Sequence, residues 1–94
     1  MTDDEAIAVC NINYLFQCVL YRTDLHYTTN VVYDTLYATS TPLLEITVYD
    51  GNEKLGVFAV YLDGGYKVVY PHTGSATTIK QVIDTFNHYV EEYI

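Results

Sequence analysis

The sequence predicts an α+β fold, in which a small antiparallel sheet of three or four strands carries the N- and C-terminal helices on one face. Segment 43–70 contains three runs of β-branched and aromatic residues separated by two glycine-bearing turns, which is typical of an antiparallel meander. Apolar residues recur at helical spacing near both ends of the chain. The length of 94 residues is that of one domain, so we expect a single domain over 1–94.

The first helix is predicted over about residues 3–22. Thr2 followed by Glu5 forms a capping-box pattern, and the acids of the first turn suit the positive end of the helix dipole. Strand propensity at 18–21 argues against the last turn. The apolar positions with helical spacing are Ala8, Val9, Ile12, Leu15, Phe16, Val19 and Leu20.

Segment 23–42 is predicted to link this helix to the meander. Residues 23–30 are polar and lack a period, which predicts a connection. Residues 31–38 favour a strand by composition, although Asn30 as an N-cap and the spacing of Val32 and Leu36 also permit a short helix. Pro42 stands where the first meander strand begins.

The strands of the meander are predicted to have two different faces, because side chains alternate along a strand. One face is aliphatic and is expected to carry the helices; it contains Leu44, Ile46, Val48, Phe58, Val60 and Leu62. The other face is rich in tyrosine; it contains Glu45, Thr47, Tyr49, Val57, Ala59 and Tyr61. In the third run we place Tyr66, Val68 and Tyr70 with the tyrosine face, opposite Lys67 and Val69. Hairpin signals stand at 50–54 and 63–65.

The last helix has the clearest pattern in the chain and follows a cap at Ser75 or Thr77. Its apolar residues form a stripe over four turns, which predicts that one face packs on the aliphatic side of the sheet. The stripe comprises Ile79, Val82, Ile83, Phe86, Val90, Tyr93 and Ile94.

The charge balance is strongly acidic. Twelve Asp and Glu stand against four Lys and Arg, for a net charge of −8. Such a surface repels nucleic acid and anionic membranes, so we expect no direct binding to either. It attracts basic partners, including protein grooves that normally hold nucleic acid. The alternative is that the acidity only maintains solubility.

The two cysteines predict reduced thiols. Cys10 and Cys18 lie eight residues apart in the first helix, a separation of about 12 Å that is too long for a disulfide. With no signal peptide or transmembrane run in the sequence, a cytoplasmic location is expected.

No residue pattern predicts catalysis. His26, His72 and His88 stand in no metal-ligand spacing, and Ser75 is better explained as a helix cap than as a nucleophile. We therefore expect no enzymatic activity, no catalytic residue, no metal and no cofactor.

The eleven tyrosines predict a binding surface instead, because tyrosine is enriched at protein interfaces. We expect a non-enzymatic binding or inhibitor protein that blocks the basic nucleic-acid-binding surface of a larger protein. By size and charge alone it is similar to the small acidic inhibitors of phages against restriction and CRISPR systems, which would place it in the host cytoplasm. The alternative is a self-assembling protein with the tyrosine face as a homodimer interface. The residues expected to bind the partner are Tyr49, Tyr61, Tyr66 and Tyr70 as anchors, with Glu45, Asp50, Glu53 and Asp63 supplying charge.

Overall fold

The computed structural model describes residues 2–33, 42–62, 65–69 and 77–93, and in them it has the predicted α+β architecture. The order of elements along the chain is helix, four strands, helix. Their bounds are α1 Asp3–Val19, β1 Leu25–Val32, β2 Leu43–Asp50, β3 Glu53–Tyr61, β4 Val68–Val69 and α2 Thr77–Tyr93.

The start of α1 is the predicted capping box. The Thr2 backbone N–H donates to Glu5 Oε1 at 2.9 Å, and the Glu5 N–H donates to Thr2 Oγ1 at 3.2 Å. Both bonds satisfy backbone donors that have no partner inside the helix. The helix ends three residues earlier than expected, at Val19. The chain then turns through Arg22, whose φ of 65° lies in the left-handed region.

The four described strands form one antiparallel sheet in the order β1-β2-β3-β4. The prediction of a connection at 23–30 is wrong, because β1 begins at Leu25 and pairs with β2 along its whole length. Leu25, Tyr27 and Val31 alternate along this strand and face the helices. The residues between them are polar, so local propensity did not indicate a strand; pairing with β2 stabilises it. Val31 and Val32 belong to this strand, as the composition favoured, whereas 34–38 lie outside the described residues.

The β2–β3 hairpin turns at Gly51, whose φ of 61° favours glycine. The register then shifts: Tyr49 pairs with Lys54, whereas Val48 pairs with Gly56. Leu55 is therefore the extra residue of a β-bulge, which re-aims the side chains at this end of the hairpin. Within 66–69, the described part of the predicted third run, only Val68–Val69 form a strand.

The hydrophobic core lies between the helices and the face of the sheet that was predicted to be aliphatic. Phe16 is at its centre, with its ring centroid 5.0 Å from that of Phe86, 5.5 Å from that of Phe58 and 5.3 Å from that of Tyr27. Both helices thus contribute a fully buried phenylalanine to one aromatic cluster. The other core residues include Ala8, Ile12, Leu15, Leu44, Ile46, Val48, Val60, Ile79, Val82 and Ile83.

Tyr27 ties β1 to α1. Its hydroxyl lies 3.2 Å from the Asn13 backbone oxygen and 3.1 Å from Asn13 Oδ1, and donates to this pair of acceptors. Burial raises the pKa of the Tyr27 hydroxyl above its usual value, and a hydrogen bond with Gln17 offsets part of that rise.

Both cysteines are free thiols, with Cys10 exposed and Cys18 half-buried on α1. Neither α1 nor α2 is long and apolar enough to cross a membrane.

Candidate functional site

The outer face of the sheet, opposite the helices, is the surface on which most of the predicted site residues should lie. In an antiparallel sheet, residues paired across strands share a face, so the register gives the layout of this surface. Four cross-strand rows follow each other along it: His26–Tyr49–Lys54, Thr28–Thr47–Val57, Asn30–Glu45–Ala59 and Val32–Leu43–Tyr61.

The two ends of this outer face differ in accessibility. Leu43 and Ala59 are fully buried, although their positions in the register put them on the side away from the helices. At the other end, His26 and Lys54 are exposed and Tyr49 is half-buried. The outer face is therefore open at the β2–β3 hairpin and enclosed around Leu43.

The predicted anchors Tyr49 and Tyr61 do not form a cluster. Tyr61 pairs with Leu43, six residues from Tyr49 along β2, so the two tyrosines are about 20 Å apart along the strand. Glu45 lies between them at the centre of the face, half-buried. The described part of this face therefore does not form one continuous tyrosine surface.

The placement of Tyr66 on the tyrosine face is wrong. Tyr66 has only 8% of its surface exposed and belongs to the core on the helix side, and Val68 follows it there because it pairs with Val60. The Tyr66 hydroxyl accepts a hydrogen bond of 2.8 Å from Asn11 Nδ2 on α1. A φ of 52° at Tyr66 breaks the alternation of a regular strand, and this is why the sequence pattern misplaced it.

Tyr66 also lines two surface depressions of about 530 Å³ each. One lies beside the first turns of α1 and Leu62, and the other lies between 65–68 and the last turns of α2. Among the described residues, neither lining includes a histidine, cysteine or serine. The same part of the chain has no group of three or more His, Cys, Asp or Glu side chains arranged to hold a metal ion.

The predicted acids Asp50 and Glu53 lie side by side, because they pair across the hairpin turn. Asp24 immediately precedes Leu25, which pairs with Asp50, so a third carboxylate belongs to the same end of the sheet. All three acids are exposed. The remaining predicted residues, Tyr70 and Asp63, lie outside the described residues.

At the same end of the sheet, on its outer face, His26 stacks on Tyr49. The ring centroids are 5.3 Å apart and the ring planes differ by 12°. The contact follows from the register of β1, which pairs His26 with Tyr49. Sequence reasoning missed it because it treated 23–30 as a connection. The signal that could have found it is the alternation of Leu25, Tyr27 and Val31, which puts His26 on the outer face.

The carboxylates at this end are free to meet a partner. Within 2–33, 42–62, 65–69 and 77–93, the single ion pair joins His88 and Glu92, at 3.8 Å on α2. Asp24, Asp50 and Glu53 therefore have no cationic partner in the described part of the chain. We define the hairpin-end site as His26, Tyr49, Asp24, Asp50 and Glu53, with Lys54 beside it.

Comparison with known proteins adds no relative: no protein-family model, curated protein or solved structure matches this chain.

Proposed function

We propose that this chain is a non-enzymatic binding protein that occupies a basic surface of a larger protein, of the kind that holds nucleic acid. The observation that carries the proposal is the hairpin-end site, where a stacked pair of rings and three exposed carboxylates occupy the same end of the sheet. The net charge of −8 adds to it, since such a chain is drawn to positive surfaces over a distance.

The chemistry of the site suits arginine. A guanidinium group stacks on the face of an aromatic ring and at the same time forms paired hydrogen bonds with a carboxylate. The His26–Tyr49 pair offers such a ring surface on the outer face of the sheet. Asp50 and Glu53 pair with each other in the Leu25 row, on the other side of the same hairpin, so the rings and these carboxylates would meet different arginines of one groove. A partner whose groove displays arginine side chains for phosphate binding would present the complementary groups.

Nucleic acid itself is not the proposed ligand, because its phosphates would be repelled by the acidic surface. The most specific form of the proposal is an inhibitor that blocks the groove of a nucleic-acid-processing complex, as small acidic phage proteins do against restriction and CRISPR systems. That form is supported by size and charge only. It implies action in the cytoplasm, where such a complex operates, and it involves no catalytic step.

The test is an affinity capture with three baits from a nuclease-treated lysate of the organism in which the chain occurs. The first bait is the unchanged chain, and the second carries Tyr49→Ala and Asp50→Asn. The third is a matched charge control, Glu91→Gln, which likewise removes one exposed acid, here on α2. The captured proteins are identified by mass spectrometry, and the bound fraction is then challenged with DNA and RNA.

The proposal predicts one dominant basic partner that the first and third baits retain, that the second loses, and that added nucleic acid displaces. Loss of a central aromatic anchor such as Tyr49 should weaken binding by about 30-fold or more. Retention of the same partner by all three baits, or indifference of the bound partner to nucleic acid, would contradict the proposal.

A further inference from the structure

An apolar stripe runs along the solvent side of α1. Three large apolar side chains are highly exposed there: Ile7 at 58%, Tyr14 at 63% and Tyr21 at 70%. Ile7 and Tyr14 are seven residues apart, which keeps them in line along one side of the helix, and Tyr21 lies a further seven residues on, in the turn that follows Val19. Cys10 and Gln17 fall between them at the intervening positions of the same seven-residue pattern, and both are exposed.

This stripe rests on a fixed support. The opposite side of α1 contributes Ile12, Leu15 and Phe16 to the core, with exposures of 5% or less. The helix also bonds to Tyr66 through Asn11 and to Tyr27 through Asn13. Because the helix is held on its inner side, its outer side presents the stripe as a rigid surface.

The charges at the two ends of the stripe are complementary. The first turn carries Asp3, Asp4 and Glu5, and the far end carries Arg22, one of only four basic residues in the chain. The Arg22 guanidinium lies over the Tyr21 ring, with its carbon 5.4 Å from the ring centroid. The stripe is thus acidic at its start and basic at its end.

We propose that the outer side of α1 packs antiparallel against α1 of a second copy of this chain, about a two-fold axis at Tyr14. The stripe is symmetric about that residue, so Ile7 meets Tyr21 of the second copy while Tyr14 meets its own counterpart. The antiparallel arrangement brings Arg22 to the acidic first turn of the second copy and opposes the two helix dipoles.

The size of the contact sets the expected affinity. A helix of 17 residues is about 26 Å long, so a single pair of helices buries less than the roughly 1,600 Å² of a standard interface. The dimer should therefore be weak, with a dissociation constant in the micromolar range or above. The His26–Tyr49 pair lies on the outer face of the sheet, opposite α1, so it would stay accessible in each copy and a dimer could engage a partner twice.

Sedimentation velocity over a concentration series tests the proposal, with variants matched in chemistry and exposure. Tyr14→Ser removes the centre of the stripe, whereas Tyr33→Ser makes the same change at a tyrosine that is 64% exposed and follows directly after β1. The expected result is a concentration-dependent dimer whose dissociation constant rises by about tenfold or more for Tyr14→Ser and is unchanged for Tyr33→Ser. A monomer at every concentration, or equal effects of the two variants, would overturn the proposal.

A second variant separates folding from association. Arg22→Gly relieves the left-handed backbone at Arg22, so the chain should melt at the same or a higher temperature, yet its dimer should be weaker because the terminal charge is lost. An unchanged dissociation constant would overturn the antiparallel charge pairing.

The free thiols report the geometry directly. Symmetry about position 14 puts Cys10 opposite Cys18 of the second copy. A bismaleimide linker shorter than the roughly 12 Å between positions 10 and 18 should join a mixture of Cys10→Ser and Cys18→Ser chains, and neither variant alone. Cross-linking of a single variant to itself would contradict the antiparallel register.

Discussion

The two helices have the same length of 17 residues and pack on the same face of the same sheet, yet their outer sides differ. Every exposed side chain of α2 within 78–92 is polar. Those of α1 include Ile7 and Tyr14, and Tyr21 follows just beyond its end. One apolar side is enough to hold a helix on a sheet, as α2 demonstrates, and the second apolar side of α1 is exposed among the described residues. This difference is the reason why we propose α1 as the interface helix.

The largest expected effect concerns the inner sides, where the two helices should be alike. Phe16→Ala and Phe86→Ala should each lower the free energy of unfolding by about 3–5 kcal/mol, because both rings are fully buried in one aromatic cluster. Urea denaturation measures both losses, and the Leu variants give a smaller loss if an Ala variant does not fold. A cost below about 1 kcal/mol at either position would show that its helix is not anchored in the core as described.

An intermediate effect is expected at the polar contact between α1 and Tyr66. Asn11→Ala should cost about 1–2 kcal/mol, because it leaves the part-buried Tyr66 hydroxyl without this partner. Tyr66→Phe in addition should restore part of that loss, since no polar group then remains to be satisfied. Chemical denaturation of the two single variants and the double variant forms the cycle; strictly additive losses would count against the bond.

A smaller effect, with a defined pH dependence, is expected at Tyr27. Tyr27→Phe should cost about 0.5–1.5 kcal/mol at neutral pH through loss of its bond to Asn13. The pKa of Tyr27 is raised in the folded chain, so the neutral hydroxyl stabilises the fold below the usual value of 10.0, and this contribution is lost as the pH rises through the folded pKa. The difference in stability between wild type and variant should therefore shrink above pH 10.0. A difference that stays constant from pH 7 to strongly alkaline pH would contradict the buried, hydrogen-bonded hydroxyl.

The contrast between the helices also explains how far sequence could predict the fold. The polar and apolar sides of α2 are cleanly separated, and β2 and the part of β3 from Val57 onward alternate regularly, so their positions followed from periodicity and from the turn signals between them. The apolar residues of α1 extend around more of its circumference. The buried stripe through Ile12 and Phe16 was enough to predict the helix, and the exposed stripe was therefore not recognised from the sequence. The spacing of Ile7, Tyr14 and Tyr21 was present in the sequence, but only burial distinguishes an exposed stripe from a core one.

Only part of the candidate site could be predicted from the sequence, because the rest depends on which residues of β1 and β2 pair. Asp50 and Glu53 share a hairpin, so their proximity follows from the turn signal between them. The contact of His26 with Tyr49 depends on the pairing of β1 with β2, which local propensity did not indicate. Tyr66 was misplaced because its left-handed backbone interrupts the alternation on which the prediction depended.

The most direct test of α1 as the interface helix is a pair of two-dimensional ¹H–¹⁵N NMR spectra of the unmodified chain, recorded at low micromolar and at millimolar concentration. We expect the chemical shifts to change with concentration mainly around Ile7, Tyr14 and Tyr21, while those of the exposed positions of α2 stay unchanged. Spectra that do not change with concentration, or shifts confined to α2 or to the outer face of the sheet, would contradict it.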